Sequence, residues 1–228
     1  MAEPGCPVCR LVDAATRARI DMLFYEQLTL VEIRAEIRAA RGFCSAHASL
    51  LPGPTRMAGN AILHHDVLND VTRQLGELAP RRTGSFASIL ALAARGAIRA
   101  ARDVIAPKRA CVLCDYEREQ EVLLLRALAR DLGDRRMYEA FKASQGLCLP
   151  HFHAALGVSD VSVERLTLLI DLQRAHLERT RDELSAWMAK QNGSYDFEAP
   201  DLADPQGDAP SRAARLVSGR VIHTDGRR

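Results

Sequence analysis

Apolar positions along this chain recur at helical spacing, and no strand-like alternation is visible. After Cys9, the residues Leu11, Ala14, Ala18, Met22 and Tyr25 fall three and four apart and predict a first helix. Residues 29–31 interrupt the pattern, and Ile33, Ile37 and Ala40 continue it to Gly42, a glycine suited to a helix C-terminus. Pro52-Gly53-Pro54 precedes a further helix expected from about Met57 to Leu78. The second half repeats the layout. Val122, Leu125, Leu128, Ala129 and Leu132 form a stripe, Gly133-Asp134 breaks it, and Met137, Phe141 and Ala143 lead to Gly146. A long amphipathic helix then starts near Ser162 and runs through Leu166, Leu169, Leu172, Ala175, Leu177 and Leu184 to Trp187.

Two segments stand apart. Residues 80–110 carry Arg81, Arg82, Arg95, Arg99, Arg102, Lys108 and Arg109 against Asp103, interleaved with Phe86, Ile89, Leu90, Leu92, Ile98, Val104 and Ile105. They predict a basic amphipathic connecting helix, mainly a bridge with a solvated arginine face. Arg95, Arg99 and Arg102 are its candidate partner-binding residues, for an acidic partner, anionic lipid or nucleic acid. The scarcity of aromatics for base stacking argues against nucleic acid. From Asn192 onward, Asp196, Glu198, Asp201, Asp204 and Asp208 alternate with Pro200, Pro205 and Pro210, as in an extended, partly flexible acidic arm. A short helix near Ser211–Val217 is expected to dock back on the core.

Cysteine placement adds chemistry. Cys6-Pro-Val-Cys9 is followed by Cys44-Ser-Ala-His47, and Cys111-Val-Leu-Cys114 by Cys148-Leu-Pro-His151. These pairs use all 6 cysteines, and Gly42 and Gly146 each lie two residues before the third cysteine of their set. The repeat predicts a duplication. Three thiols and an imidazole per set have the number and softness that tetrahedral Zn²⁺ prefers. The layout predicts two zinc ions, one per repeat, held by Cys6, Cys9, Cys44 and His47 and by Cys111, Cys114, Cys148 and His151. His153 could replace His151, but Ser49 stands at its counterpart in the first repeat, which favours His151. Iron–sulfur clusters are the alternative cofactor, and thiol–disulfide exchange is a third reading that lacks its usual strand-then-helix setting.

Composition narrows the class. With 47% apolar residues, 1 Trp and many Ala and Leu, the chain favours an all-α fold. A net charge of +2 gives no global attraction to polyanions. The N-terminus lacks a basic region followed by an apolar run, and no uncharged stretch reaches bilayer length. A cytoplasmic protein with reduced thiols is therefore expected. His64 and His65 are neighbours on one helix, so one should face the core and the other solvent; His176 reads as a surface or boundary residue. Asp115, Glu117, Glu119 and Glu121 read as helix-dipole and arginine partners. No phosphate loop, nucleophile elbow or H-E-x-x-H motif occurs, so catalytic residues are not assigned.

The run Cys6-Pro-Val-Cys9-Arg-Leu, then Tyr25-Glu26, then Arg41-Gly42-Phe43-Cys44-x-x-His47 resembles an uncharacterised bacterial domain-of-unknown-function family. Its members carry C-P-x-C near the N-terminus, G-F-C-x-x-H after two helices, and a second C-x-x-C…G-x-C-x-x-H unit. Tyr195-Asp196-Phe197 and the Arg212–Gly219 stretch are also similar to that family. The resemblance implies a helical metal-binding protein and supplies no activity. The organisation expected is a first metal-binding repeat at 1–79, the connecting helix at 80–110, a second repeat at 111–191 and the tail at 192–228. Its expected role is an interaction or regulatory scaffold with a protein partner, against a redox or sensor protein if clusters occupy the sites.

Overall fold

The computed structural model describes residues 5–78, 87–190 and 208–219, with side-chain surroundings in the connecting helix described from Arg95. Every regular element among them is helical: α1 Pro7–Met22, a π-helical turn Leu23–Gln27, α2 Val31–Ala39, α3 Ser45–Ala48 and α4 Met57–Leu78. There follow α5 Ala87–Ile105, α6 Val112–Asp131, α7 Arg135–Ala143, α8 Leu149–Leu156, α9 Val163–Lys190 and α10 Ala209–Ser218. The all-α expectation holds, and α4 has the bounds read from the pattern. Asp134 turns the Gly133-Asp134 break into a start signal: its carboxylate accepts from the Arg136 and Met137 amides at 2.8 and 3.2 Å and caps α7.

Two compact units form. A terminal unit combines Met1–Ala15 with Glu119–Arg228, and a central unit spans Thr16–Arg118. These units do not follow the sequence repeats, because the first 15 residues belong with the second half.

In the terminal unit, Val8 and Val12 of α1 pack with Leu125, Leu128 and Leu132 of α6, Phe141 of α7, Ala155 of α8, and Leu169 and Leu172 of α9. Full burial of one such leucine stabilises by about 1.5–3 kcal/mol, so this cluster is ample for a small unit. The docking helix expected near Ser211 is α10, which packs on α9 and α8 and buries Ala209 and Leu216. The acidic stretch expected before it lies mostly outside the described residues.

The central unit has two smaller clusters: Ile20, Leu51, Cys111 and Leu113; and Leu23, Ile37, Leu63 and Val67. Ion pairs join α2 to α4, with Asp66 taking Arg34 at 3.2 Å and Arg38 at 2.5 Å, and Asp70 taking Arg41 at 2.9 Å. As expected, His64 is half-buried, with its ring 6.2 Å from that of Phe43, and His65 is exposed.

The helix predicted after Cys9 is present, but the apolar stripe that marks it is not its buried face. Leu11, Ala14, Ala18, Met22 and Tyr25 all face solvent, Leu11 at 51% and Tyr25 at 69% exposure. The buried line is Val8, Val12, Thr16, Ile20 and Leu23. A polar threonine in its middle disguised it, and the reason for that threonine lies in the site below.

Candidate metal centres

All four ligand pairs are built alike. Cys6 and Cys111 stand one residue before α1 and α6, with Cys9 and Cys114 in the first turns. Cys44 and Cys148 occupy the N-cap positions of α3 and α8, at φ −65°, ψ 163° and φ −66°, ψ 157°, with His47 and His151 one turn in. Residues three apart across a helix start share a face, so each pair points its two donors one way. Helix N-termini also present unpaired amides and positive potential, which favour thiolates.

The pairs join across the repeats. Cys6, Cys9, Cys148 and His151 form one group in the terminal unit; Cys44, His47, Cys111 and Cys114 form the other in the central unit. The grouping of Cys6 and Cys9 with Cys44 and His47, and of Cys111 and Cys114 with Cys148 and His151, is thereby corrected. The helices of the first repeat are unequal: α1 runs on through the π-helical turn to Gln27, whereas the returning α2 has 9 residues, and the second ligand pair does not reach the first CxxC.

Within each group the donor atoms lie within 4.8 Å of one another. In the terminal site, Cys9 Sγ is 3.7 Å from Cys148 Sγ, and His151 Nδ1 is 3.5, 3.3 and 3.2 Å from the sulfurs of Cys6, Cys9 and Cys148. In the central site, Cys44 and Cys114 sulfurs are 3.6 Å apart, and His47 Nδ1 is 3.1, 3.4 and 3.6 Å from Cys44, Cys114 and Cys111. A Zn²⁺ tetrahedron with 2.3 Å sulfur and 2.05 Å nitrogen bonds has edges of roughly 3.8 Å (S–S) and 3.6 Å (S–N). The donors fit one such ion per group. None of the 6 cysteines forms a disulfide.

Behind each imidazole stands a carboxylate. His47 Nε2 lies 3.0 Å from Glu117 Oε1, and Thr16 Oγ1 donates to the same oxygen at 3.1 Å. His151 Nε2 lies 3.5 Å from Glu121 Oε1. Such partners fix the ring so that Nδ1 faces the ligand cluster, as carboxylates do behind metal-bound histidines. Thr16 and Glu117 are buried for this reason, and Thr16 thus belongs in the inward line of α1. Glu117 and Glu121, read from sequence as dipole partners, face the two histidines from successive turns of α6. Asp115 does pair with arginines, Arg109 at 3.4 Å and Arg118 at 2.7 Å. The signal for Glu117 was legible: it continues C-x-x-C by one more turn on the same helical face.

Protonation follows from this crowding. His47 is raised to about 10, first by the Cys111 thiolate and then by Glu117. Burial opposes protonation of His151, yet Cys148, Cys6 and Glu121 outweigh it and raise it to about 11. Burial pushes Cys111 upward, but His47 and the backbone around Cys44, Cys114 and Leu113 bring it down to about 6. Cys114 is raised to about 12 by burial and by its neighbour Cys44. In the terminal site, sharing of protons with Cys148 lowers Cys6 and raises Cys9. A divalent cation would replace these shared protons with its two positive charges and leave three thiolates and a neutral imidazole.

α9 supplies a further layer in the terminal unit. Gln173, at 0% exposure, donates to the Leu147 carbonyl and accepts from its amide, both at 2.8 Å, next to Cys148. His176 is buried and not a boundary residue; it takes a hydrogen bond from Arg179, which also donates to the Ser144 carbonyl at 3.2 Å. Gly146 has φ +77°, and a Cβ there would come within 2.8 Å of the His176 ring, so only glycine passes. Sequence reading missed this clamp. His153 is exposed and outside the group. Arg95, Arg99 and Arg102 lie on α5, exposed and not part of either site.

No helix among the described residues is long and apolar enough to cross a membrane. No curated protein and no solved structure matches this chain. A family of unknown function, DUF6062, matches residues 1–224, and the chain belongs to that family.

Proposed function

We propose that each group holds one structural Zn²⁺ and that the protein is a metal-clamped helical scaffold with an interaction or regulatory role in the cytoplasm. The observation that carries this is the closed Cys3His set, four protein donors at single-ion spacing with a carboxylate behind each histidine. Such a shell leaves no position for a catalytic water, and metal binding contributes directly to folding. Reduced thiols in all 6 ligand positions suit a reducing compartment. The exposed arginines Arg95, Arg99 and Arg102 are the partner-binding face in this reading. Nucleic acid is disfavoured there for lack of stacking aromatics.

The iron–sulfur alternative is weaker on geometry. A cluster spreads its ligands around several irons, whereas these donors span the edges of one tetrahedron. Elemental analysis with an absorption spectrum, on protein purified without oxygen, tests the choice. Two zinc per chain and no visible absorbance are expected. Iron with acid-labile sulfide would overturn the zinc reading and make electron transfer or sensing primary.

A further inference from the structure

α5 packs on α4, and its partly covered residues are small: Ala97, Ala100, Ala101 and Val104. Its other face is open. Ile98 is 70% and Ile105 57% exposed, and Arg95, Arg99 and Arg102 are exposed beside them. None of these three arginines has an ion-pair partner among the described residues.

Their register is informative. Ile98 and Ile105 are seven residues apart, so they stand in line about 10 Å along the helix, with the partly covered Ala101 between them. That is the spacing of successive a positions in a coiled-coil heptad, with Ala101, at d, lying toward the covered side. Arg95 and Arg102, also seven apart, fall at the flanking e positions, where charge selects the partner.

We propose that α5 is the docking face for an acidic amphipathic helix of another protein. Its apolar residues would cover Ile98 and Ile105, and its carboxylates would pair with Arg95 and Arg102. This rests on the reading of α5 as the interaction surface. Other occupants fit worse. A second copy aligned antiparallel sets arginine against arginine, and a parallel copy offers Ala97 and Val104 where carboxylates are needed. Interfacial helices bury a continuous apolar face, yet here Arg95, Arg99 and Arg102 are exposed alongside Ile98 and Ile105. Polyanions such as RNA leave the isoleucine line without a role.

The test uses the full-length zinc-loaded protein and a labelled synthetic helix of several heptads with Leu at a and d and Glu at e and g. A twin peptide carrying Lys at e and g is the control. The Glu peptide should bind, weaken with salt, and lose about tenfold or more in affinity on combined Arg95→Glu and Arg102→Glu substitution. That double variant should instead bind the Lys peptide, and Ile98→Ser should weaken the Glu peptide without changing its salt dependence. Circular dichroism and metal content should be unchanged in each variant. Equal binding of both peptides to the unmodified protein overturns the charge pairing. Binding to phosphatidylcholine–phosphatidylglycerol vesicles or single-stranded RNA, without binding to the Glu peptide, overturns the helical partner and keeps α5 as an interaction surface. Binding to none of these probes overturns both.

Discussion

The two sites share donors and spacing but differ in what holds the loop that presents the third cysteine. In the terminal unit that loop is fastened mainly by uncharged contacts, Gln173 on both polar groups of Leu147 and His176 against Gly146, with the Arg179 guanidinium added on the Ser144 carbonyl. Around the central loop, Arg41 adopts φ +58° and pairs with Asp70, Gly42 has open space around it, and Asp66 collects Arg34 and Arg38. Neutral hydrogen bonds in a buried setting hold geometry whether or not a cation is present, and salt does not screen them. Ion pairs at a partly wet surface are worth little each and fade with ionic strength. The same ligand set is thus offered on a stiff loop in one unit and on a softer one in the other. The terminal site should keep its shape without metal, and the central site should depend on metal more.

The largest effect expected concerns which ligands act together. Cys6→Ser with Cys148→Ser should cost one of two metal equivalents, because both residues serve one site. Cys6→Ser with Cys44→Ser should cost both. Metal stoichiometry by atomic emission decides, and the opposite result would restore the within-repeat pairing. Chelator titration sharpens the comparison: the central site should release its metal first, and simultaneous release would remove the distinction between stiff and soft loops.

Next in size is the clamp itself. Gln173→Ala leaves the Leu147 amide and carbonyl buried without partners, a cost of about 2–4 kcal/mol. At this chain length that lowers Tm by about 5–10 °C, and metal release from the terminal site should quicken while the central site is unmoved. Gly146→Ala combines a left-handed φ with a collision against His176, for about 1–3 kcal/mol. A Gln173→Ala protein that melts and releases metal like the parent would show the clamp to be incidental.

Proton linkage should appear in both sites. Without metal, His47 and His151 carry raised values of about 10 and about 11, so their paired imidazolium forms stabilise the folded state below the ordinary histidine range. That contribution is lost as pH rises through those values. Zinc must displace these protons, so affinity should rise with pH and uptake at neutral pH should release protons to an indicator dye. Uptake without proton release would contradict the charge states derived for the sites. His176 has the opposite sign. Burial first, then Arg179, lowers it to about 4, so its contribution is present above about 6.5 and is lost as pH falls toward 4. His176→Gln should flatten that part of the acid melting profile, and an unaltered profile would exclude the role.

The smallest effect belongs to the central ion pairs. Asp70→Asn should cost less than about 1 kcal/mol and should matter mainly at low salt, read as a Tm difference that closes when salt is added. A difference that persists at high salt would make this contact as firm as the terminal clamp and erase the contrast.

Helix content, the bounds of α4 and all eight candidate donors were legible in the chain, because 3.6-residue periodicity and C-x-x-C or C-x-x-H spacing are local properties. The inward face of α1 was not legible, because Thr16 is buried to hold Glu117, and only the folded site shows why a hydroxyl belongs there. Gln173 and His176 were likewise hidden, since a side chain that hydrogen-bonds a distant loop leaves no periodic trace. Residue types and their spacing determined that two Cys3His sets exist and that each pair sits at a helix start. Which pairs meet was decided by tertiary structure alone. Helix lengths set how far the chain returns, and the cores then carry the N-terminal CxxC to the C-terminal C-x-x-H and leave the middle pairs to one another.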